Sequence, residues 1–199
     1  MKLRWLLALA LTLPVLRAGA DLFRTGNGEP SLVRAQDGGL ESKKIVPFVP
    51  TPQEVVEGML QLAQVKKGDT VYDLGSGDGR IVITAAKKYG ARAMGFEIDP
   101  ELIKQSRASI NKEGLEKLAE IREQDILTVD LSSASVLTMY LLPSVNLKLK
   151  PKILSEMKPG SRVVSHGFDM GDWKPDKTVQ IDGRTVYLWT VPAKSSSKK

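Results

Sequence analysis

Val71-Tyr72-Asp73-Leu74-Gly75-Ser76-Gly77-Asp78-Gly79-Arg80 is a short apolar run that ends in an acid, breaks into alternating glycines and opens a helical pattern. Glycines at alternate positions reach φ > 0 and leave no Cβ between backbone and ligand, while a helix starting behind them offers unpaired N–H groups. Strand, glycine loop and helix start together form a cradle for a nucleotide-like ligand. A dinucleotide fingerprint, G-x-G-x-x-G, would need a third glycine at position 80, where Arg80 stands. That mismatch argues against a nicotinamide-dependent oxidoreductase.

The pattern present, Asp-x-Gly-x-Gly-x-Gly from Asp73, resembles motif I of the class I S-adenosylmethionine-dependent methyltransferases. Their donor has no pyrophosphate to place on a helix N-terminus. It carries an ammonium, a sulfonium and a ribose, for which nearby acids are better partners. Arg92 to Glu97 reads as a second strand, and Glu97 lies about twenty residues beyond the loop, where a carboxylate can accept ribose hydroxyls. Asp125 follows a third strand over 119–123, and the resemblance implies a contact from it to the adenine amino group. Asp73, Gly75, Ser76, Gly77, Gly79, Glu97 and Asp125 are therefore the candidate donor-binding residues. Each acid taken singly reads more readily as a helix cap or turn residue.

Around this centre the chain alternates as an α/β domain does. Thr51-Pro52-Gln53-Glu54 reads as a capping box with Pro52 at the first helical position; the helix carries Val55, Val56, Met59, Leu60 and Ala63 on one face and closes near Lys66-Lys67-Gly68. Strand 70–74 leads to a helix from Arg80 to Tyr89 stopped by Gly90. Strand 92–97 leads to a helix capped by Asp99 and stopped by Gly114. Strands at 119–123, 135–140 and 161–166 complete five parallel candidates. Lys177 to Ile181 and Arg184 to Val191, joined by Asp182-Gly183, read as a hairpin. The expected architecture is a Rossmann-like seven-stranded methyltransferase sheet, five parallel strands with a C-terminal antiparallel hairpin and helices on both faces.

The 199 residues suit one well-buried domain, placed at 45–192. Residues 1–20 read as a targeting segment: Lys2 and Arg4, a hydrophobic stretch from Trp5 to Leu16, then Ala18-Gly19-Ala20, with cleavage expected after Ala20. The twelve mostly apolar residues fall short of the ~20 that a spanning helix needs. Residues 21–44 read as a flexible linker, and 193–199 as a basic disordered tail. The net charge of +6 is +3 without the first twenty residues, and much of the remainder lies in that tail, so no nucleic-acid partner is expected. Cysteine is absent, which removes disulfides and thiolate chemistry, and no metal site is expected. The leader sets up a conflict, because S-adenosylmethionine is made in the cytosol and its sulfonium does not cross a bilayer unaided. Three readings stay open: a membrane tether on the donor side, an organelle address, or export to another use.

Ligands of an open α/β sheet lie beyond the carboxyl ends of its strands, so the acceptor belongs after the fourth and fifth strands. There Tyr140-Leu141-Leu142-Pro143 replaces the Asn-Pro-Pro-Tyr tetrapeptide used on base and glutamine amides. A lysine amine needs only to lose its proton and point its lone pair along the methyl–sulfur axis, which desolvation and an aromatic wall can arrange. Tyr140, Pro143 and His166 are the candidate acceptor-side residues. His166 is either a base or a histidine bonded to backbone at a strand end; Phe168 and Trp173 line the channel or cover the core; Thr51 caps its helix and can touch the methionine carboxylate. Pro47-Phe48-Val49-Pro50-Thr51-Pro52, Gly95-Phe96-Glu97-Ile98-Asp99-Pro100, Tyr140 to Pro143 and Val164 to Trp173, together with the glycine loop, resemble the lysine methyltransferase family of mitochondria and bacteria over about residues 45–191. Mitochondrial members of that family modify the c-ring protein of ATP synthase or the adenine nucleotide translocase. The resemblance implies transfer to a protein lysine, on a membrane-associated protein, with S-adenosyl-L-methionine as donor. The rivals are a small-molecule methyltransferase, which an inserted cap domain would favour, and a donor-binding module without turnover. Oligomeric state is left open.

Overall fold

The computed structural model describes residues 48–193. The targeting segment at 1–20, the linker at 21–44 and the tail from Lys194 onward lie outside the described residues. Twelve elements follow Phe48: α1 Gln53–Leu62, β1 Thr70–Leu74, α2 Arg80–Tyr89, β2 Arg92–Glu97, α3 Pro100–Lys112, β3 Ala119–Glu123, a 3₁₀ turn Ile126–Thr128, β4 Val136–Met139, α4 Pro143–Glu156, β5 Arg162–His166, β6 Lys177–Ile181 and β7 Arg184–Thr190.

The strands form one sheet in the order β3-β2-β1-β4-β5-β7-β6. The pairs from β3 through β5 are parallel, and β7 runs antiparallel between β5 and β6. The strand order reverses between β1 and β4, and a ligand crevice forms at such a switch point. Residues alternate between two cores. Val71, Val136 and Val164 pack under α1, α2 and α3, whereas Leu74, Leu137, Met139 and Trp189 pack under α4 and the turn after β3.

Local chemistry explains most boundaries. The Asp99 carboxylate caps α3 by accepting from the amides of Glu101 and Leu102, with Pro100 at the first helical position. Gly90 ends α2 in the left-handed region, and Asp182-Gly183 turns the hairpin with φ of 48° and 69°.

Three of the departures from the sequence expectation bear on the site. The capping box at α1 does not form: Pro52 occupies the N-cap position and no side chain caps the helix. The Thr51 hydroxyl is engaged elsewhere, with His166. The helix also stops at Leu62 rather than near Lys66, because Gln64 turns left-handed at φ 51° and the Val65 amide bonds back to the Leu60 carbonyl. The fourth strand ends at Met139, which leaves Tyr140 just beyond it in the crevice.

Candidate active site

The glycine loop is pinned to its neighbour strand. The amides of Gly75 and Ser76 both donate to the Phe96 carbonyl, at 2.9 and 3.0 Å. Gly77 holds φ at +54°, and a Cβ placed on it would lie 2.2 Å from the Phe48 ring. Phe48 to Pro52 is thus a strap laid across the loop. It is fastened from below by Arg80, whose Nη1 donates to the Thr51 carbonyl at 2.8 Å while Nε and Nη2 hold the Asp78 carboxylate.

Three acids meet around this loop. Asp73, the fourth residue of β1, is buried and accepts from the Thr138 hydroxyl at 2.8 Å, a contact set by the β1–β4 register that faces the two residues. Burial pushes the Asp73 carboxyl up to about 7; the charges of Glu97 and Asp78 add to the rise, and the Thr138 bond opposes it. Glu97, the last residue of β2, spends one carboxylate oxygen on the Gly77 amide at 2.8 Å and the other on the amides of Ile98 and Asp99. A carboxylate offers about four lone-pair sites, so Glu97 both shapes the loop and keeps room for a hydroxyl. Asp125 accepts from the Leu127 amide and caps the 3₁₀ turn, and it also faces the crevice. Cap and cleft wall are the same residue.

At the acceptor end, Tyr140 and Leu141 line the crevice. His166 does not. It closes β5, 3% exposed, behind Tyr140, with ring centroids 3.9 Å apart at 30°. Its Nδ1 lies 3.1 Å from the Thr51 hydroxyl, so its bond runs to a side chain rather than to backbone at the strand end. Burial lowers this imidazole to about 4, with the charge of Arg184 contributing, and it is neutral at physiological pH. Pro143 is exposed and opens α4 as its first residue, outside the crevice lining. Gly77 and Gly79 shape the loop, the latter as the left-handed N-cap of α2. Phe168 extends the ring series, 6.2 Å from Tyr140, whereas Trp173 packs against the α4-side core and its carbonyl accepts from Trp189 Nε1.

Asp73, Asp78, Glu97 and Asp125 line the crevice with a single guanidinium, Arg80, already committed to Asp78. An acidic lining beside a glycine loop suits a cationic nucleoside and is wrong for a pyrophosphate. The residues present fit a sulfonium donor. Among the described residues, no group of histidines and carboxylates could hold a metal ion.

A family model described as the ANTKMT methyltransferase domain matches residues 73–177. A protein-lysine N-methyltransferase of Saccharolobus islandicus is 47% identical over 151 residues, covering 73% of this chain and 94% of that protein. The chain belongs to this methyltransferase family. The mouse adenine nucleotide translocase lysine N-methyltransferase is 37% identical, and the match spans 73% of this chain and 63% of the mouse one. A crystal structure described as an RNA methyltransferase from Salinibacter ruber, with S-adenosyl-L-homocysteine bound, superposes with a TM-score of 0.72 at 54% identity, covering 73% of this chain and 95% of that one. The donor of this methyltransferase is S-adenosyl-L-methionine.

Three contributors to the methyltransferase site are not apparent from the sequence. Phe48 carries no chemical group that marks it, although its proline-flanked position next to a helix start signals a rigid strap. Arg80 reads only as an absent glycine. Asn146, fully buried on α4, donates to the carbonyls of Phe168 and Asp169 and holds the loop after β5; nothing local in its sequence points there.

Proposed function

We propose that this methyltransferase modifies the side-chain nitrogen of a protein lysine, on a membrane-associated protein. The observation that carries this reading is the acceptor end itself: an aromatic and aliphatic wall, Tyr140 and Leu141, with the nearby histidine buried behind it and neutral. An amine can lose its proton to water before entering such a wall, and desolvation then disfavours its recapture; no resident base is needed. When bound, S-adenosyl-L-methionine supplies an electrophilic methyl group. The protein contributes placement: Glu97 and the glycine loop orient the donor, Tyr140 aims the amine, and the strap excludes water.

The rim supports a protein acceptor with apolar surroundings. Phe48, Val49, Leu127, Leu142 and Leu147 are the exposed large apolar side chains of the described residues. They belong to the strap, the turn after β3 and the start of α4, segments at the carboxyl edge of the sheet. Apolar surface gathered around a cleft mouth is a docking feature. Relatives named for the c-ring protein of ATP synthase and for the adenine nucleotide translocase agree with it. In the same reading the hydrophobic stretch Trp5 to Leu16 brings the domain to a membrane, on a side where the donor is available. Among the described residues no helix is long and apolar enough to cross one.

The description of the Salinibacter ruber structure favours a second reading, an RNA acceptor. Residues 48–193 carry 19 basic and 19 acidic side chains, which gives little of the electrostatic footprint that phosphate binding requires. Incubation with radiolabelled donor and a membrane extract separates the readings. Protease-sensitive label recovered as methyl-lysine is the expected outcome. Label released by nuclease, or found only in small metabolites, overturns it.

A further inference from the structure

We infer that His166 is a positioning residue that couples the two halves of the site, its ring nitrogen holding the donor strap through Thr51 and its ring face holding Tyr140 at the acceptor wall. The acceptor half of this inference rests on the lysine reading above; the donor half does not.

Two segments distant in sequence converge on this imidazole. The β4–β5 register pairs Met139 with Ser165, so the next step along both chains brings Tyr140 beside His166, and the rings stack at 3.9 Å. From the other side the Thr51 hydroxyl reaches Nδ1 at 3.1 Å across 115 residues of sequence. Thr51 lies between Pro50 and Pro52, and a residue before proline is confined to extended backbone. With its backbone set, what its hydroxyl binds is decided by side-chain rotation. α1 begins one residue later than the capping signature implies, with Pro52 at the N-cap, so the Thr51 hydroxyl is not spent on a helix cap and reaches His166 instead. The hydroxyl is thereby committed to a buried contact behind the acceptor wall.

The strap then has two fastenings, Arg80 to the Thr51 carbonyl and His166 to the Thr51 hydroxyl, with the Phe48 ring held against Gly77. His166 does not line the crevice but lies behind Tyr140, so no acceptor reaches its ring, and burial disfavours the imidazolium that a base would have to become. Its contribution is to keep the strap and the Tyr140 ring in fixed relation.

Two substitutions in the full-length chain divide the roles. His166→Phe keeps a ring against Tyr140 and loses the bond to Thr51; His166→Asn keeps a polar atom near the Nδ1 position and loses the ring. By calorimetry, His166→Phe and Thr51→Val each weaken S-adenosylhomocysteine binding about threefold to tenfold, Thr51→Ser restores it, and the double variant is no worse than either single one. His166→Asn leaves that affinity within about twofold. In its place the Tyr140 ring protons lose the upfield shift imposed by the stacked imidazole, and the rate of label transfer to membrane protein at saturating donor falls. Unchanged donor affinity in Thr51→Val and His166→Phe, losses that multiply in the double variant, or Tyr140 shifts that survive His166→Asn each overturn the inference. If the wild-type chain labels no protein, the lysine reading fails by itself, and calorimetry and ring shifts still decide the role of His166. Should the His166 variants not fold, the Thr51 pair carries the donor arm.

Discussion

The Thr138 hydroxyl donates to the Asp73 carboxylate at 2.8 Å, a buried contact across the seam where the strand order reverses. It is the direct polar support of an acid whose burial, reinforced by Glu97 and Asp78, lifts it to about 7. In the free protein the folded state therefore holds a proton that the unfolded chain has released above about pH 4. Stability contributed by this group falls as pH rises from about 4 to about 7, and the cost is complete above that. Asp73→Asn keeps an acceptor for Thr138 and carries no charge to desolvate. The variant is expected to be more stable than wild type at pH 8.5 by up to about 4 kcal/mol, the difference shrinking toward pH 5, while donor affinity drops. Denaturant unfolding of both ligand-free proteins at several pH values is the check; a constant difference would show that Asp73 is ionised throughout.

His166 has the opposite sign. Its folded value of about 4 lies below the ordinary 6.5, so its contribution is intact above pH 6.5 and is lost as pH falls through 4. Thermal melts should show wild type losing stability against His166→Phe over that interval, with the gap constant from pH 7 upward. Transfer rates should carry no inflection from this imidazole between pH 6 and 8.

Gly77 tests the strap. Gly77→Ala incurs the left-handed penalty of about 1–2 kcal/mol and also drives a methyl into the Phe48 ring. Gly68→Ala is the control, with φ at +96° and open space around it. Donor affinity is expected to fall about tenfold in Gly77→Ala and to be unaffected in Gly68→Ala. Phe48→Ala added to Gly77→Ala relieves the clash and recovers part of the folding stability, which thermal melts would detect.

What could be read from the sequence was local. The glycine loop, the Asp99 cap and the Asp182-Gly183 turn are written in residues whose backbone preferences dictate the structure directly. The gathering of Asp73, Glu97 and Asp125 at one crevice was legible because strand ends and the loop fix their positions, although the amides that Glu97 also serves were not. α4 was obscured: Val145, Leu147 and Leu149 alternate as a strand would, and Pro151 stands inside the helix, well past its first turn. Thr51 shows the limit most sharply. Its capping signature is correct by local rules, but the helix starts with Pro52 at the N-cap and the Thr51 hydroxyl bonds His166, a partner that only the folded sheet brings near.

The opposite edge of the sheet offers a stability test without a functional effect. Asp69 accepts from Arg162 at 2.7 Å, from Ser135 at 2.7 Å and from the Lys66 amide at 2.9 Å; burial opposes its ionisation, but these bonds hold its carboxyl below the usual range. Asp69→Ala leaves the Arg162 guanidinium without its carboxylate and should cost about 3 kcal/mol. S-adenosylhomocysteine affinity should not change in the folded fraction, because Asp69 lies at the amino end of β1, away from the crevice.

Arg80 separates charge from shape at the donor end. Its guanidinium binds Asp78 through Nε and Nη2 and the Thr51 carbonyl through Nη1, so all three nitrogens of one planar fork are engaged. Arg80→Lys conserves the charge and can satisfy Asp78 as a point charge, but a single ammonium cannot reproduce the fork. The strap then loses its lower fastening while the electrostatics of the crevice are retained. Donor affinity is expected to fall about tenfold, and Arg80→Met, which removes the charge as well, to be no more than about threefold worse than Arg80→Lys. Calorimetric titration of both variants with S-adenosylhomocysteine distinguishes the cases: wild-type affinity in Arg80→Lys would mean that charge alone matters there and that the bond to Thr51 contributes nothing to holding the donor.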